Sequence, residues 1–337
     1  MFSTGLRAGA VIVAASALFA GCATNSSGSG DAASSAGPTV TASATAGGPV
    51  KPKDGKTLKI GVAFPVLDQF LQKVADGIQA RAAEDGVEVS IVAADNKTDT
   101  QLSQVENFVS SKVDGLIVIP VDTDAAGPIT AAAQAANIPL SYVNRKPSDL
   151  PSSVPYAGSD SLVSGVLEMT ELAKLAGGKG NVAILQGDPA NEAAVLRTKG
   201  CNDVVAKNPG MKVIATQAGN WEREKGQSIT EDWIQSGKDI QVICANNDEM
   251  ALGAINALKA AGKLDKVIVG GVDATSDALA SMTGGDLKVT VFQNAAGQGA
   301  GGVDAVVGLY NKATVPGYID VPYELVTPAN MADFGGK

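Results

Sequence analysis

The sequence predicts an α/β protein built from two doubly wound parallel-sheet lobes. Three observations predict it. Short apolar runs alternate with amphipathic helical patterns from Thr57 onward. The runs are continuously apolar and not alternating, as in strands covered on both faces. Two such series fit into about 280 residues, enough for two medium lobes.

The elements follow in order. "TLKIGVAF" is a buried strand. It leads into "DQFLQKVADGIQARAAEDG", where Leu71, Val74, Ala75 and Ile78 share one helical face and Gly86 supplies the stop. "VEVSIVAA", "GLIVIP" and "PLSYVN" are further strands, with helices through "QLSQVENFVSS" and "AAGPITAAAQAA" between them. A second series starts near "VPYAGSD" and has strands "NVAILQG", "KVIATQ", "IQVICAN", "KVIVGGVD" and "LKVTVFQ".

The N-terminal part differs in composition. Residues 1–21 read as a signal peptide, with Arg7 ahead of the apolar run "AGAVIVAASALFA". "LFAGC" resembles a lipobox, with Cys22 as the lipidated first mature residue, although Phe19 stands where leucine is usual. Residues 22–56 read as the lipidated cysteine and a flexible Ser/Ala/Gly tether, because the stretch has too few bulky apolar residues to offset its ordering entropy. The protein is therefore expected outside the cytoplasm, anchored to the cell membrane by lipid. That compartment permits a disulfide. Cys201, on a helix, and Cys244, in a strand, are nevertheless expected as two buried free thiols.

Composition excludes several functions. The chain has no histidine, which removes Ser-His and Cys-His nucleophile pairs and the usual zinc sites. A net charge of −9 without a basic run argues against nucleic acid. Dinucleotide, P-loop and nucleophile-elbow signatures are absent. The glycines of "GGDLKVTVFQNAAGQGAGG" read as tight turns and close helix packing. No enzyme, cofactor or metal is expected.

Ligands of open parallel sheets sit at the carboxyl ends of the strands. The residues there are Asp68, Phe70, Asn144, Arg145, Asn191, Arg197, Trp221, Asn246, Asn247, Asp248, Asp273, Gln293 and Asn294. Carboxylates, amides and guanidinium groups pair with vicinal hydroxyls, and aromatic faces cover the C–H face of a sugar ring. Asp248 also reads as the N-cap of the next helix, and Asp122 as a cap in "PVDTDAAG".

From about Thr57 the chain resembles the periplasmic sugar-binding proteins of ABC importers, the ribose, glucose/galactose and inositol group with the type I fold. "ANNDEMALGAINALKAAGK", "GGVDATSDAL" and "VTVFQ" carry the resemblance, with "LDQF", "VNRKP", "LRTKG" and "NWEREKG" in the family's order. The resemblance implies a hinge of three crossings, near 158–159, 293–294 and 322–323. The N-lobe would then be residues 57–158 plus 294–322, and the C-lobe 159–293 plus 323–337. It also implies ligand roles for Asp68, Phe70, Asn144, Arg145, Asn191, Arg197, Trp221, Asn247, Asp273 and Gln293. Asn144 stands where ribose binders carry aspartate, and Ile119 where glucose/galactose binders place an asparagine. Their calcium loop is missing. An inositol-like cyclitol or a monosaccharide is the implied ligand. A membrane permease with its ATPase is the implied partner, or alternatively a chemoreceptor, and the protein would act as a monomer.

Overall fold

The computed structural model describes residues 39–41, 44–45 and 47–335. The signal-peptide reading and Cys22 lie outside these residues. Among the described residues no helix is long and apolar enough to cross a membrane.

The chain begins with two short strands, β1 (Thr39–Thr41) and β2 (Ala44–Thr45). The first full series is β3 (Lys59–Phe64), α1 (Gln69–Asp85), β4 (Glu88–Ala93), α2 (Thr98–Ser110), β5 (Gly115–Val118), α3 (Gly127–Ala135), β6 (Leu140–Val143) and β7 (Tyr156–Gly158). A second series is α4 (Ser161–Leu175), β8 (Lys179–Gln186), α5 (Glu192–Ala206), β9 (Gly210–Ala218), α6 (Arg223–Gln235), β10 (Val242–Ala245), α7 (Asp248–Ala260), β11 (Ile268–Gly270), α8 (Ser276–Thr283) and β12 (Thr290–Phe292). The end of the chain is α9 (Ala295–Tyr310), β13 (Thr314–Pro316), β14 (Tyr318–Asp320) and β15 (Glu324–Val326).

The first sheet has the order β2-β14-β7-β6-β5-β3-β4, all parallel. On one face α1 and α9 bury Leu71, Val74, Ile78, Val303 and Val306. On the other, α2 and α3 bury Val105, Ile129 and Ala133 against Leu116, Val118 and Tyr142. The second sheet has the order β11-β10-β8-β9, also parallel. Bridges Gly270–Val289 and Asp273–Phe292 bring the β12 segment alongside it. Apolar side chains fill both faces of this sheet too, which is why its strands read as continuous apolar runs.

One pairing departs from the all-parallel expectation: β12 and β15 run antiparallel. The chain reaches β15 through a short link from β14 of the first sheet, so it has no helix with which to reverse direction. The chain passes between the sheets after β7, after β12 and after β14.

Two expectations need correction. Cys201 and Cys244 are joined by a disulfide, with Cα atoms 6.8 Å apart. It ties α5 to the centre of β10, a proximity that only the folded register creates. The stretch read as tether up to residue 56 is held down at its end. The Asn311 side chain accepts from the Lys53 N–H and donates to the Lys51 carbonyl, both at 2.9 Å. Tyr310 donates to Asp54 at 2.7 Å, and Lys56 pairs with Asp114. An asparagine amide offers the same donor and acceptor pair as a neighbouring strand, so it can dock an extended backbone that buries little apolar surface.

Candidate functional site

A cleft lies between the carboxyl ends of the two sheets. The first sheet contributes Asp68, Phe70 and Leu71 after β3, and Asn144 and Arg145 after β6. From the second come Ala193 and Arg197 on α5, Trp221, Asn247, Glu249, Asp273, Thr275 and Gln293.

Arg197 is the most heavily engaged of these side chains. It is 4% exposed. One terminal nitrogen donates to the Asn246 carbonyl at 2.6 Å and lies 3.7 Å from the Asp273 carboxylate. The other donates to Gln293 Oε1 at 2.8 Å and to the Tyr323 hydroxyl at 3.0 Å. Its guanidinium carbon lies 5.6 Å from the centre of the Trp221 ring, within cation–π range. The position of Arg197 depends on two glycines. A Cβ on Gly165 of α4 would stand 2.1 Å from the Arg197 carbonyl, and one on Gly200 would stand 2.7 Å from the Val166 nitrogen. Backbone-to-backbone packing of α4 on α5 therefore sets how deeply the arginine reaches.

Trp221 likewise needs an absent side chain. A Cβ on Gly187 would fall 2.2 Å from its ring. The indole N–H donates to Asn191 Oδ1 at 2.9 Å. Trp221 has φ 72°, Asn144 φ 63° and Asp273 φ 124°, so three residues of the wall hold left-handed backbone. Each such position costs on the order of 1–3 kcal/mol and persists where the surroundings fix it.

The charges of the wall are balanced within it. Arg145 donates to the Pro120 and Val121 carbonyls at 3.1 and 3.3 Å. Burial lowers its pKa to about 10, against the pull of Asp68 and Asp188. Burial raises the Asp68 carboxyl, opposed by the Leu71 N–H at 2.8 Å and by Arg145. Burial pushes Asp273 well above the carboxylate range, with Arg197 opposing. Glu249 holds Arg223 through two contacts of 2.8 and 2.9 Å, and Arg223 also reaches Asp277 at 2.7 Å.

Nine of the ten expected site residues line this cleft: Asp68, Phe70, Asn144, Arg145, Arg197, Trp221, Asn247, Asp273 and Gln293. Asn191 does not. It is fully buried and uses its amide on protein partners, accepting from Trp221 and donating to the Val121 carbonyl at 2.9 Å.

The capping expectations for Asp248 and Asp122 fail. Asn247 is the N-cap of α7, accepting from the Met250 N–H at 3.1 Å. Asp248 is one residue inside the helix, with its carboxylate accepting from the Thr290 hydroxyl at 2.7 Å and the Thr275 N–H at 2.9 Å. Asp122 accepts from the Asp124 N–H in a local turn, and α3 starts after Ala126. Glu249 and Thr275 were not anticipated. Glu249 is an acid in the first turn of α7, and Thr275 is the N-cap of α8.

Comparison with known proteins gives the chain's family and fold. Residues 60–313 match the periplasmic binding protein domain. A Rhizobium meliloti protein named for rhizopine binding is 43% identical over 286 residues, covering 82% of this chain and 93% of its own. The ribose import binding protein of Bacillus subtilis is 30% identical, covering 81% and 88%. A solute-binding protein of an ABC transporter from Bacillus halodurans, solved with bound myo-inositol, superposes with a TM-score of 0.80 at 42% identity, covering 84% of this chain and 98% of that one. The fold is the type I fold of such proteins, and its relatives bind solutes and are not enzymes. The chain belongs to the periplasmic binding protein family.

Proposed function

We propose that the protein is the extracytoplasmic substrate-binding component of an ABC importer. Its ligand is a neutral, unphosphorylated ring polyol, an inositol-like cyclitol or a monosaccharide, handed to a membrane permease. A lipid on Cys22 holds it at the membrane.

The observation that carries this reading is the composition of the cleft wall. Arg145 and Arg197 face Asp68 and Asp273, and Glu249 of the same wall is held by Arg223, so neither sign of charge is in excess for a charged ligand to neutralise. Asn144, Asn247 and Gln293 add amide groups suited to hydroxyls, and Phe70 and Trp221 come from opposite lobes to cover a ring. The inositol-bound relative, at 42% identity, supports a cyclitol.

The test is a panel of cyclitols, sugars, sugar phosphates and amino acids read by tryptophan fluorescence and melting temperature. A ligand at about 100 times Kd should add roughly 2.7 kcal/mol to stability. A response to sugar phosphates or amino acids alone would refute the reading. Intact mass of the native protein tests the anchor. Loss of residues 1–21 with added acyl mass is expected, and a mature chain starting elsewhere refutes it.

A further inference from the structure

The two lobes touch at a second place besides the crossings. The Thr123 N–H and hydroxyl both donate to the Ala190 carbonyl, at 3.1 and 3.0 Å. One residue on, the Asn191 side chain donates to the Val121 carbonyl at 2.9 Å. Val121 and Thr123 follow β5 of the first sheet, and Ala190 and Asn191 precede α5 of the second. All three bonds cross from one lobe to the other.

The Val121 carbonyl is shared. It accepts from Arg145, a wall residue of the first lobe, at 3.3 Å. Asn191, which reaches the same oxygen, accepts from the indole N–H of Trp221, a wall residue of the second lobe, at 2.9 Å. A continuous chain of hydrogen bonds thus runs Trp221–Asn191–Val121–Arg145, from one wall of the cleft to the other. Asn191 is fully buried and Thr123 is 2% exposed, so water competes poorly for these bonds.

We infer that Asn191 and Thr123 form a latch that holds the lobes closed, and that Asn191 orients Trp221 through this latch without touching the ligand. A ligand that seats against both Trp221 and Arg145 fixes the two ends of the chain and favours the closed form. Asn191 is then a positioning residue. An open lobe pair keeps the Trp221–Asn191 bond and loses the one to Val121. The ligand-coupled part of this inference rests on the ring-polyol reading, and the latch itself does not.

Two variants separate the roles. Asn191→Asp keeps an acceptor for the indole and puts a carboxylate oxygen against the Val121 carbonyl. Thr123→Val removes a latch donor and alters no residue of the cleft wall. The full mature chain is mixed with myo-inositol, D-ribose and xylitol, and dissociation is followed by stopped-flow tryptophan fluorescence. Both variants should raise the dissociation rate by about tenfold and leave the order of preference among the three probes unchanged. A silent Thr123→Val, or an Asn191→Asp that reorders the probes, would overturn the latch in favour of a direct ligand contact. Hydrogen exchange at the Thr123 amide needs no ligand. It should be protected in the wild type and exchange about tenfold faster in Asn191→Asp. An unprotected amide, or equal rates, would overturn the proposal. If the wild type responds to no neutral polyol, the ring-polyol reading falls, and the exchange rates still decide the latch.

Discussion

The guanidinium of Arg197 donates to the hydroxyl of Tyr323 at 3.0 Å, which ties the deepest charge of the cleft to the third crossing between the lobes. Tyr323 is 8% exposed, and its ring also lies 5.8 Å from the guanidinium carbon. Removing only the oxygen leaves a buried, charged donor one partner short. Tyr323→Phe should therefore weaken ligand binding by about 1.5–3 kcal/mol with the fold retained. Calorimetry of binding beside far-UV circular dichroism checks this. Unchanged affinity would mean that Gln293 and the Asn246 carbonyl suffice to hold the arginine.

The close packing of α4 on α5 gives a second expectation. A methyl group at Gly165 cannot fit beside the Arg197 carbonyl unless the helices separate. Gly165→Ala should destabilise the protein by about 1–3 kcal/mol and weaken binding as Arg197 is displaced. Ala194, on α5 with Arg197 and already carrying its methyl in the core, is a control: Ala194→Gly should lower stability without that steric clash. Urea denaturation and ligand titration of both variants decide the matter.

Asp248 gives a pH dependence. Burial raises its pKa to about 7 from an ordinary 3.8, against hydrogen bonds from Thr275 and Thr290. Between about pH 4 and 7 the folded state then binds more protons at this site than the unfolded chain. Its contribution to stability is therefore full below about pH 4 and is lost as the pH rises toward 7. Asp248→Asn should remove that part of the slope. Urea midpoints of wild type and variant from pH 4.5 to 7.5 should converge or cross, and parallel curves would contradict the assignment.

The disulfide closes a loop between residues 43 apart in sequence. The chain-entropy model gives about 4 kcal/mol for a loop of that size. The double variant Cys201→Ala, Cys244→Ala should unfold at correspondingly lower denaturant. Binding should weaken too, because Cys201 lies one turn beyond Arg197 and Cys244 two residues before Asn246. A stability equal to the wild type would rule out a structural role for the bond.

The strands were legible because each is covered on both faces and therefore apolar throughout, as in "GLIV" of β5 and "VICA" of β10. The cleft residues were legible for the converse reason. A polar side chain directly after such a strand stands at the sheet's carboxyl end, where Asp68, Asn144, Asn247 and Asp273 are found. The sequence left open which partner each polar group takes. Asn191 follows a strand like the others, yet its partners are Trp221 and Val121, far apart in the chain. Asn247 takes the capping role expected of Asp248, because a shift of one residue in a helix start cannot be read from "ANNDEM". The pairing of Cys201 with Cys244 depends on how α5 lies against β10, which no local pattern encodes.

Loss of Asp273 tests the cleft most directly. Its carboxylate lies 3.7 Å from Arg197 and 93% of its surface is buried, since it is 7% exposed. Isothermal calorimetry of myo-inositol into the full mature chain should show saturable one-site binding. The same titration into Asp273→Ala, shown folded by circular dichroism, should show none, because ligand hydroxyls and guanidinium donors lose their shared acceptor. No heat from myo-inositol or any other neutral polyol, with saturable binding of a phosphate ester or an amino acid instead, would contradict the account.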